Sequence, residues 1–326
     1  MGIMTFALSC HAQQVYQFSN YLINPYIYNP AASGLSQDAE FTTNYRRQWG
    51  GVSASPTSFY ATGSLSLGRD ETRSFPTREA RRLYYSNHPH TVHHGVSMIV
   101  SRDQFGAFST TRVMPSYAVH VPIYQDIKVS FSVRTGWLQS GLNRDRLEVK
   151  NQNDETFQHF MVSDLTQNNF DIDAGWWLYS NDFFLGYSVL QIARGRVTGA
   201  EVASPNRLLA HHFLTGGYHI MLKENRNRQT RESENLLLTP ATIIRYRPGT
   251  PFNFDLSLEL HYEPLGKLGV SYRQSESIAA WFGLRVTSGI EMAYTFDLSS
   301  SAVRTGFGHA HELYLRILLN TSSSRK

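Results

Sequence analysis

The chain reads as an all-β protein: a transmembrane antiparallel β-barrel of about fourteen strands, preceded by an N-terminal periplasmic or plug segment. Three observations predict it. From Glu40 to the end, short segments alternate apolar and polar residues and are separated by turn residues. No uninterrupted apolar run reaches about eighteen residues, which excludes a transmembrane helix but not a barrel, whose strands are only half apolar. A mean hydropathy of −0.34 fits such strands. Aromatic residues make up 13%, and Tyr45, Trp49, Trp137, Trp176, Trp177, Tyr179, Tyr187, Tyr246, Tyr262 and Tyr294 fall toward segment ends, where interfacial girdles use them.

Taking the elements in order, an apolar stretch over residues 3–8 is followed by Ser9, Cys10, His11 and Ala12. Small residues at Cys10 and Ala12 suit cleavage after Ala12, so residues 1–12 are expected to be a signal peptide, although a basic n-region is missing. Cys10 as a lipid anchor would want a Leu where Ala7 stands. Cleavage after Ala12 removes the single cysteine and with it any disulfide or thiol chemistry. Residues 13–36 hold two Asn-Pro pairs, Asn24-Pro25 and Asn29-Pro30. Proline fixes φ and biases the preceding residue away from helix, so an extended, turning segment is expected, tucked into the lumen or capping its periplasmic mouth. A disordered leader is the rival reading, but Tyr21, Tyr26, Ile27 and Tyr28 are too apolar to stay solvated. No linker or compositional shift divides residues 37–320, which are expected to form the barrel, with 321–326 as a polar tail.

Strand-like segments start near Glu40, Thr57, Val92, Thr111, Ile127, Asn169, Phe183, Leu208, Leu237, Asn253, Gly266, Ser277, Gly289 and Ala310. In Ile127, Lys128, Val129, Ser130, Phe131, Ser132, Val133, Arg134, every odd residue is apolar and every even one polar. Successive side chains point to opposite faces, so this strand has one oily and one wet wall. Phe59, Ala61, Gly63, Leu65 and Leu67 oppose Tyr60, Thr62, Ser64 and Ser66 in the same way. Leu256, Leu258 and Leu260 oppose Asp255, Ser257, Glu259 and His261, and Leu313, Leu315, Ile317 and Leu319 oppose Glu312, Tyr314 and Arg316. In a barrel the oily wall faces lipid and the lumen takes the charges.

An even strand count leaves both ends of the barrel in the periplasm. Residues 138–168, 191–207 and 298–309 then become extracellular, and the tight turns at 179–182, 264–266 and 286–289 periplasmic. The insertions 68–91 and 222–236 are long for periplasmic turns.

Net charge is +4 and spread along the chain. The basic runs 78–82 and 223–231 lack interleaved stacking aromatics, so no nucleic-acid partner is expected; solvated turns or contacts to anionic outer-membrane lipid fit better. His88, His90, His93 and His94 read as polar turn histidines, because no matching Asp, Glu or Cys lies nearby and His93 and His94 must point oppositely; no metal site is expected. Asp171 and Asp173 share a wall, where acid–base chemistry competes with an internal ion-pair network. The network is preferred, with lumenal members Lys128, Arg134, Asp171, Asp173, Arg245, Asp255, Glu259, Arg285, Glu291, Glu312 and Arg316. No Gly-x-Ser-x-Gly elbow or placeable triad is present, so no catalytic residue, no cofactor and no enzyme activity are expected.

Several patches resemble the PorP/SprF outer-membrane proteins of the type IX secretion and gliding machinery. Residues 17–21 followed by Asn24-Pro25-Tyr26-Ile27-Tyr28-Asn29-Pro30-Ala31-Ala32-Ser33-Gly34 resemble the family's paired Asn-Pro opening. Tyr45-Arg46-Arg47-Gln48-Trp49 with Pro56 resembles its first hairpin, and residues 170–175, 183–188, 240–247, 269–273 and 276–278 its middle and late signatures. His311-Glu312-Leu313 resembles its last strand, although the polar end over residues 320–326 departs from the aromatic close usual there. The resemblance implies an integral outer-membrane protein, exported by a signal peptide, that assists secretion or surface anchoring of a secreted protein bearing a C-terminal sorting domain. It also implies periplasmic or peptidoglycan-associated secretion components as partners. Expected partner contacts are Asn24, Pro25, Asn29, Pro30, Arg46, Trp49, Asp154, Asp164, Arg194 and Arg207. The alternatives are an outer-membrane channel for a small apolar molecule and a soluble β-sandwich adhesin.

Overall fold

The computed structural model describes residues 18–49, 55–68, 92–124, 126–143, 166–193, 209–224, 235–263, 265–274, 277–299 and 308–319. Alternation builds fifteen strands: β1 (Ala39–Arg47), β2 (Thr57–Leu67), β3 (His93–Phe105), β4 (Phe108–Tyr124), β5 (Ile127–Leu142), β6 (Gln167–Tyr179), β7 (Phe183–Leu190), β8 (His211–Tyr218), β9 (Ile220–Lys223), β10 (Leu236–Tyr246), β11 (Asn253–Tyr262), β12 (Gly266–Arg273), β13 (Ser277–Thr287), β14 (Ile290–Ser299) and β15 (Ala310–Leu319). Both β8 and β9 pair with β10, so they form one pass interrupted at His219. Fourteen antiparallel passes result. β1 pairs with β15 from Ala39↔Leu319 to Arg47↔His311, and β10 pairs with β11, so the sheet closes without a free edge. Closure is what lets a sheet sit in hydrocarbon, because every backbone donor then finds a partner within the wall.

The walls divide as the alternation predicts. Ser130, Ser132 and Arg134 on β5 are buried inward, while Phe131 and Val133 are exposed on the outer face. Asp255 and Ser257 on β11 point in and Leu256 and Leu258 out; Glu312 and Tyr314 on β15 point in and Leu313 out. The oily face is therefore the lipid face, and the interior is polar. Trp177 corrects the aromatic assignment: it lies buried inside and stacks on Phe184, centroids 5.3 Å apart at 8°, whereas Trp137, Tyr45 and Tyr246 are exposed outside.

β1 begins and β15 ends at one rim, called here the entry rim. Short connections at 180–182, 263–265 and 288–289 share it, and the far rim takes the connections 143–166, 191–210 and 300–309. Strands reach further than expected at the far rim: β5 runs to Leu142, β6 starts at Gln167, and β4 starts at Phe108 after a two-residue turn in which Gly106 takes φ +57°. Most of the insertions 68–91 and 222–236 lies outside the described residues.

Inside the barrel runs the N-terminal segment. Asn24 and Asn29 have extended-side backbone (φ −141° and −137°), as a residue before proline should, but each Asn-Pro opens a single 3-10 turn, Pro25–Ile27 and Pro30–Ala32, rather than continuing extended. Proline's fixed φ suits the first helical position, and the side chain of Asn29 accepts from Ala31 N at 2.9 Å to cap the second turn. The segment's Phe18, Tyr21, Tyr26, Ile27 and Tyr28 pack with Tyr60, Ile99, Met114, Leu190, Phe213 and Ile243 from the wall, forming an apolar core inside an otherwise polar bore.

Candidate functional site: a filled lumen

The lumenal segment has a direction. Gly34 N donates to Ser64 Oγ at 3.0 Å and Ser33 Oγ hydrogen-bonds Ser97 Oγ at 2.6 Å, both near the entry rim. There the main chain of Ser33 and Gly34 lies directly on Gly95, and a Cβ on Gly95 would collide with the Ser33 carbonyl. At mid-height, Asn24 Nδ2 donates to Thr42 and Thr62 (2.7 and 3.2 Å), and Tyr26 OH bonds Ser116 Oγ (2.8 Å). Asn29 Nδ2 donates to the carbonyls of Trp176 (2.9 Å) and Tyr187 (3.3 Å). Wall hydroxyls return the favour: Ser130 Oγ donates to Ala31 O at 2.6 Å and Ser188 Oγ to Tyr28 O at 2.5 Å. Toward the far rim, Ser19 N donates to Glu312 Oε1 (2.8 Å) and Ser19 Oγ to Asp297 Oδ2 (2.5 Å). An irregular segment carries unpaired backbone groups into the bore, and these inward hydroxyls, amides and charges satisfy them.

Charged residues clamp the segment from several sides. Arg46 pairs with Asp297 (2.9 Å) and with Glu312, and also donates to Ser19 Oγ at 2.7 Å. Arg245 forks onto Asp255 (2.5 and 2.7 Å), Arg273 Nε joins the same carboxylate at 3.2 Å, and Arg273 Nη2 reaches Phe18 O at 3.4 Å. Across the lumen, Arg134 Nε holds Asp173 at 2.7 Å while its two terminal nitrogens donate to Tyr26 O (2.9 Å) and Ile27 O (3.3 Å). Its guanidinium also lies over the Tyr26 ring at 5.3 Å, and that of Arg245 over Tyr28 at 5.8 Å. Buried charges persist only when paired and hydrogen-bonded, and these guanidinium groups use carboxylates and plug carbonyls together for that purpose. Near the entry rim a second network joins Lys267 to Glu291 (2.6 Å) and Arg316 to both Glu40 (2.7 Å) and Glu291 (3.6 Å). Glu259 accepts from Trp281 Nε1 at 3.0 Å.

The expected lumenal residues thus face inward, with differences. Asp171 shares the inner face of β6 with Asp173, yet among the described residues it makes no ion pair; one oxygen accepts from Ile172 N at 2.9 Å. Arg285 is at an inward position but sits exposed at the entry rim. Lys128 lines a cavity of about 370 Å³ between the lumenal segment and the wall, together with Tyr21, Pro25, Trp177, Phe184 and His219.

Of the expected partner contacts, Arg46, Asn24, Asn29 and Pro30 are buried in the lumen, and Pro25 lines its cavity. Even-numbered residues of β1 point inward, which puts Arg46 in the clamp rather than on an outer surface. Trp49 lies at the far rim, its ring edge-on to Phe105 at 5.9 Å. Asp154, Asp164, Arg194 and Arg207 lie outside the described residues, as do His88 and His90. His93 is no turn residue: it is buried on β3 and stacks on His120, centroids 4.2 Å apart, while His94 points out to Tyr117. Sequence reasoning missed Glu40, Lys267, Arg273 and Asp297; all four occupy inward positions of their strands, which is the signal that would have found them.

Residues 10–317 match the family model described as type IX secretion system membrane protein PorP/SprF. No curated protein matched the sequence. Among solved structures, the chain is similar to a Pseudomonas aeruginosa FadL homologue, with 10% identity over 90% of this chain and 93% of that one at a TM-score of 0.46. It is also similar to Salmonella typhi OmpF, in complex with daunomycin, with 7% identity over 86% and 96% of the two chains at a TM-score of 0.36. A third likeness is the beta domain of the Bordetella autotransporter BrkA, with 9% identity over 86% and 98% at a TM-score of 0.31.

Proposed function

Because the chain belongs to the PorP/SprF family of type IX secretion system membrane proteins, we propose that it works as a non-enzymatic anchor or export assistant for a secreted protein bearing a C-terminal sorting domain. The observation that supports an anchor over a conduit is the filled bore. Residues 18–34 run from the far half of the lumen to the entry rim and are bonded to first, middle and last strands. A barrel so filled offers its rims and outer wall to partners rather than an open path. Periplasmic or peptidoglycan-associated secretion components would meet the entry rim, and the secreted protein the far rim, where Trp49 and the 143–166 and 191–210 connections emerge. The rival, a channel for a small apolar molecule, draws on the cavity beside Trp177 and Phe184.

The test is affinity capture of the native protein from detergent-solubilised outer membranes, with co-purifying proteins identified by mass spectrometry. Recovery of a secreted protein with a sorting domain, or of periplasmic secretion components, is the expected result. Recovery of the barrel alone, coupled with uptake of an apolar solute into proteoliposomes, would favour the channel.

A further inference from the structure

Charge on the strands is sorted by wall. Every Asp and Glu on the described strands falls at an inward position, and so does every Lys and Arg except Arg47, Arg102 and Lys223, the last residue of β9 beyond a bulge. Arg47 and Arg102 point outward, and both are exposed. They also lie together. Tyr45 on β1 pairs with Phe59 on β2, which pairs with Arg102 on β3, while Arg47, one outward position beyond Tyr45, pairs with Thr57. Two strand spacings and one outward repeat place their Cα atoms on the order of 12 Å apart, a gap that two arginine arms span. The exposed rings of Tyr45, Phe59 and Phe105 form the floor around them. Among the described residues neither guanidinium has an ion-pair or hydrogen-bond partner.

An outward arginine is costly at the bilayer midplane and nearly free of cost near the interface, so a pair of them belongs at headgroup level. Arg47 and Arg102 stand toward the far-rim ends of β1 and β3, and we take the far rim as the cell exterior because both ends of the barrel and its short turns at 180–182, 263–265 and 288–289 lie at the other rim. A guanidinium is a planar fork that binds phosphate through two parallel hydrogen bonds, and the aromatic floor suits the sugar and the first methylenes above it. We propose that Arg47 and Arg102, with Phe59 between them, form an outward-facing site for a phosphorylated glycolipid headgroup of the lipid A type in the outer leaflet. The site rests on the outer-membrane location and on the far rim facing outward, and not on any protein partner of the secretion system. Its phosphates occupy the two guanidinium forks, and its acyl chains lie along the apolar wall below.

Native mass spectrometry of the full chain in detergent tests this with three added probes: diphosphoryl lipid A, the same lipid after removal of its phosphates, and phosphatidylglycerol. Wild type should retain diphosphoryl lipid A at least tenfold better than either of the others. The double variant Arg47→Gln, Arg102→Gln should lose that preference, and Arg285→Gln, at the entry rim, should keep it; a heat-modifiable band on gels identifies folded barrel in each case. Equal retention of the dephosphorylated lipid by wild type overturns the proposal without any variant, and so does an unchanged preference in a folded double variant. Equal retention of phosphatidylglycerol overturns the lipid A assignment and leaves a general phospholipid contact.

Discussion

Asn29 donates its side-chain amide to the main-chain carbonyl of Trp176 at 2.9 Å, so a residue of the lumenal segment is tied to the backbone of the wall itself. Gly175 makes the room: a Cβ there would run into the Asn29 amide oxygen, whereas one on Gly186 would meet the Trp177 ring before it met Asn29. Replacing Gly175 with Val should expel Asn29, and Asn29→Ala should remove the tie without the clash. Each lost bond to a buried carbonyl costs about 1–3 kcal/mol. Planar-bilayer recordings should show larger or more frequent openings for both variants; wild-type currents in both would mean that this tie does not hold the segment in place.

The same logic reaches the two prolines. Pro25→Ala with Pro30→Ala frees the backbone at the start of each 3-10 turn and raises the entropy lost on seating the segment. Single-channel conductance is expected to rise, and an unchanged value would argue that the wall contacts alone seat it.

Arg134 serves Asp173 and two carbonyls of the lumenal segment at once. Arg134→Met leaves a buried carboxylate unpaired and should cost on the order of 3–5 kcal/mol in urea-induced unfolding. Adding Asp173→Asn should return part of the loss, because the pair couples. Additive costs would show that Arg134 matters through the carbonyls and not through the carboxylate.

Gly95 meets main chain, which does not swing aside as a side chain would. Gly95→Val should force Ser33 and Gly34 off the wall at a cost of at least about 1–3 kcal/mol, seen as a lowered temperature for the loss of the folded band on gels. A neutral result would mean that β3 shifts to make room.

Anchoring by the far rim is checked by deleting residues 150–164. Surface retention of the secreted partner should fall while membrane insertion stays intact, and undiminished display would move the contact elsewhere.

Much of the wall was legible because a strand's period of two shows directly in residues such as those of β5, and turn residues mark the passes. Registers between distant strands were not. Arg46 and Glu312 stand opposite each other only because β1 closes on β15, and nothing local to either residue announces that neighbour. Trp176 and Trp177 looked alike as girdle residues, yet adjacent strand residues must face opposite walls, which sends Trp177 inside. The two Asn-Pro pairs announced turns, but the 3-10 geometry depends on the hydroxyls, amides and guanidinium groups that meet them in the bore.

Ser19 and Glu312 are joined across 293 positions of sequence. Contacts so remote form late, because a long loop must close before they return anything. The leader cannot reach its final bonds until the last strand is in hand, and that strand completes the seam with β1 beside the same Arg46. Docking of the segment's Ser19 end and sealing of the cylinder therefore draw on the same strand, and a chain stalled before β15 would lack the Glu312 bond to Ser19 as well as its seam, while the bonds from Asn24 to Gly34 do not involve that strand.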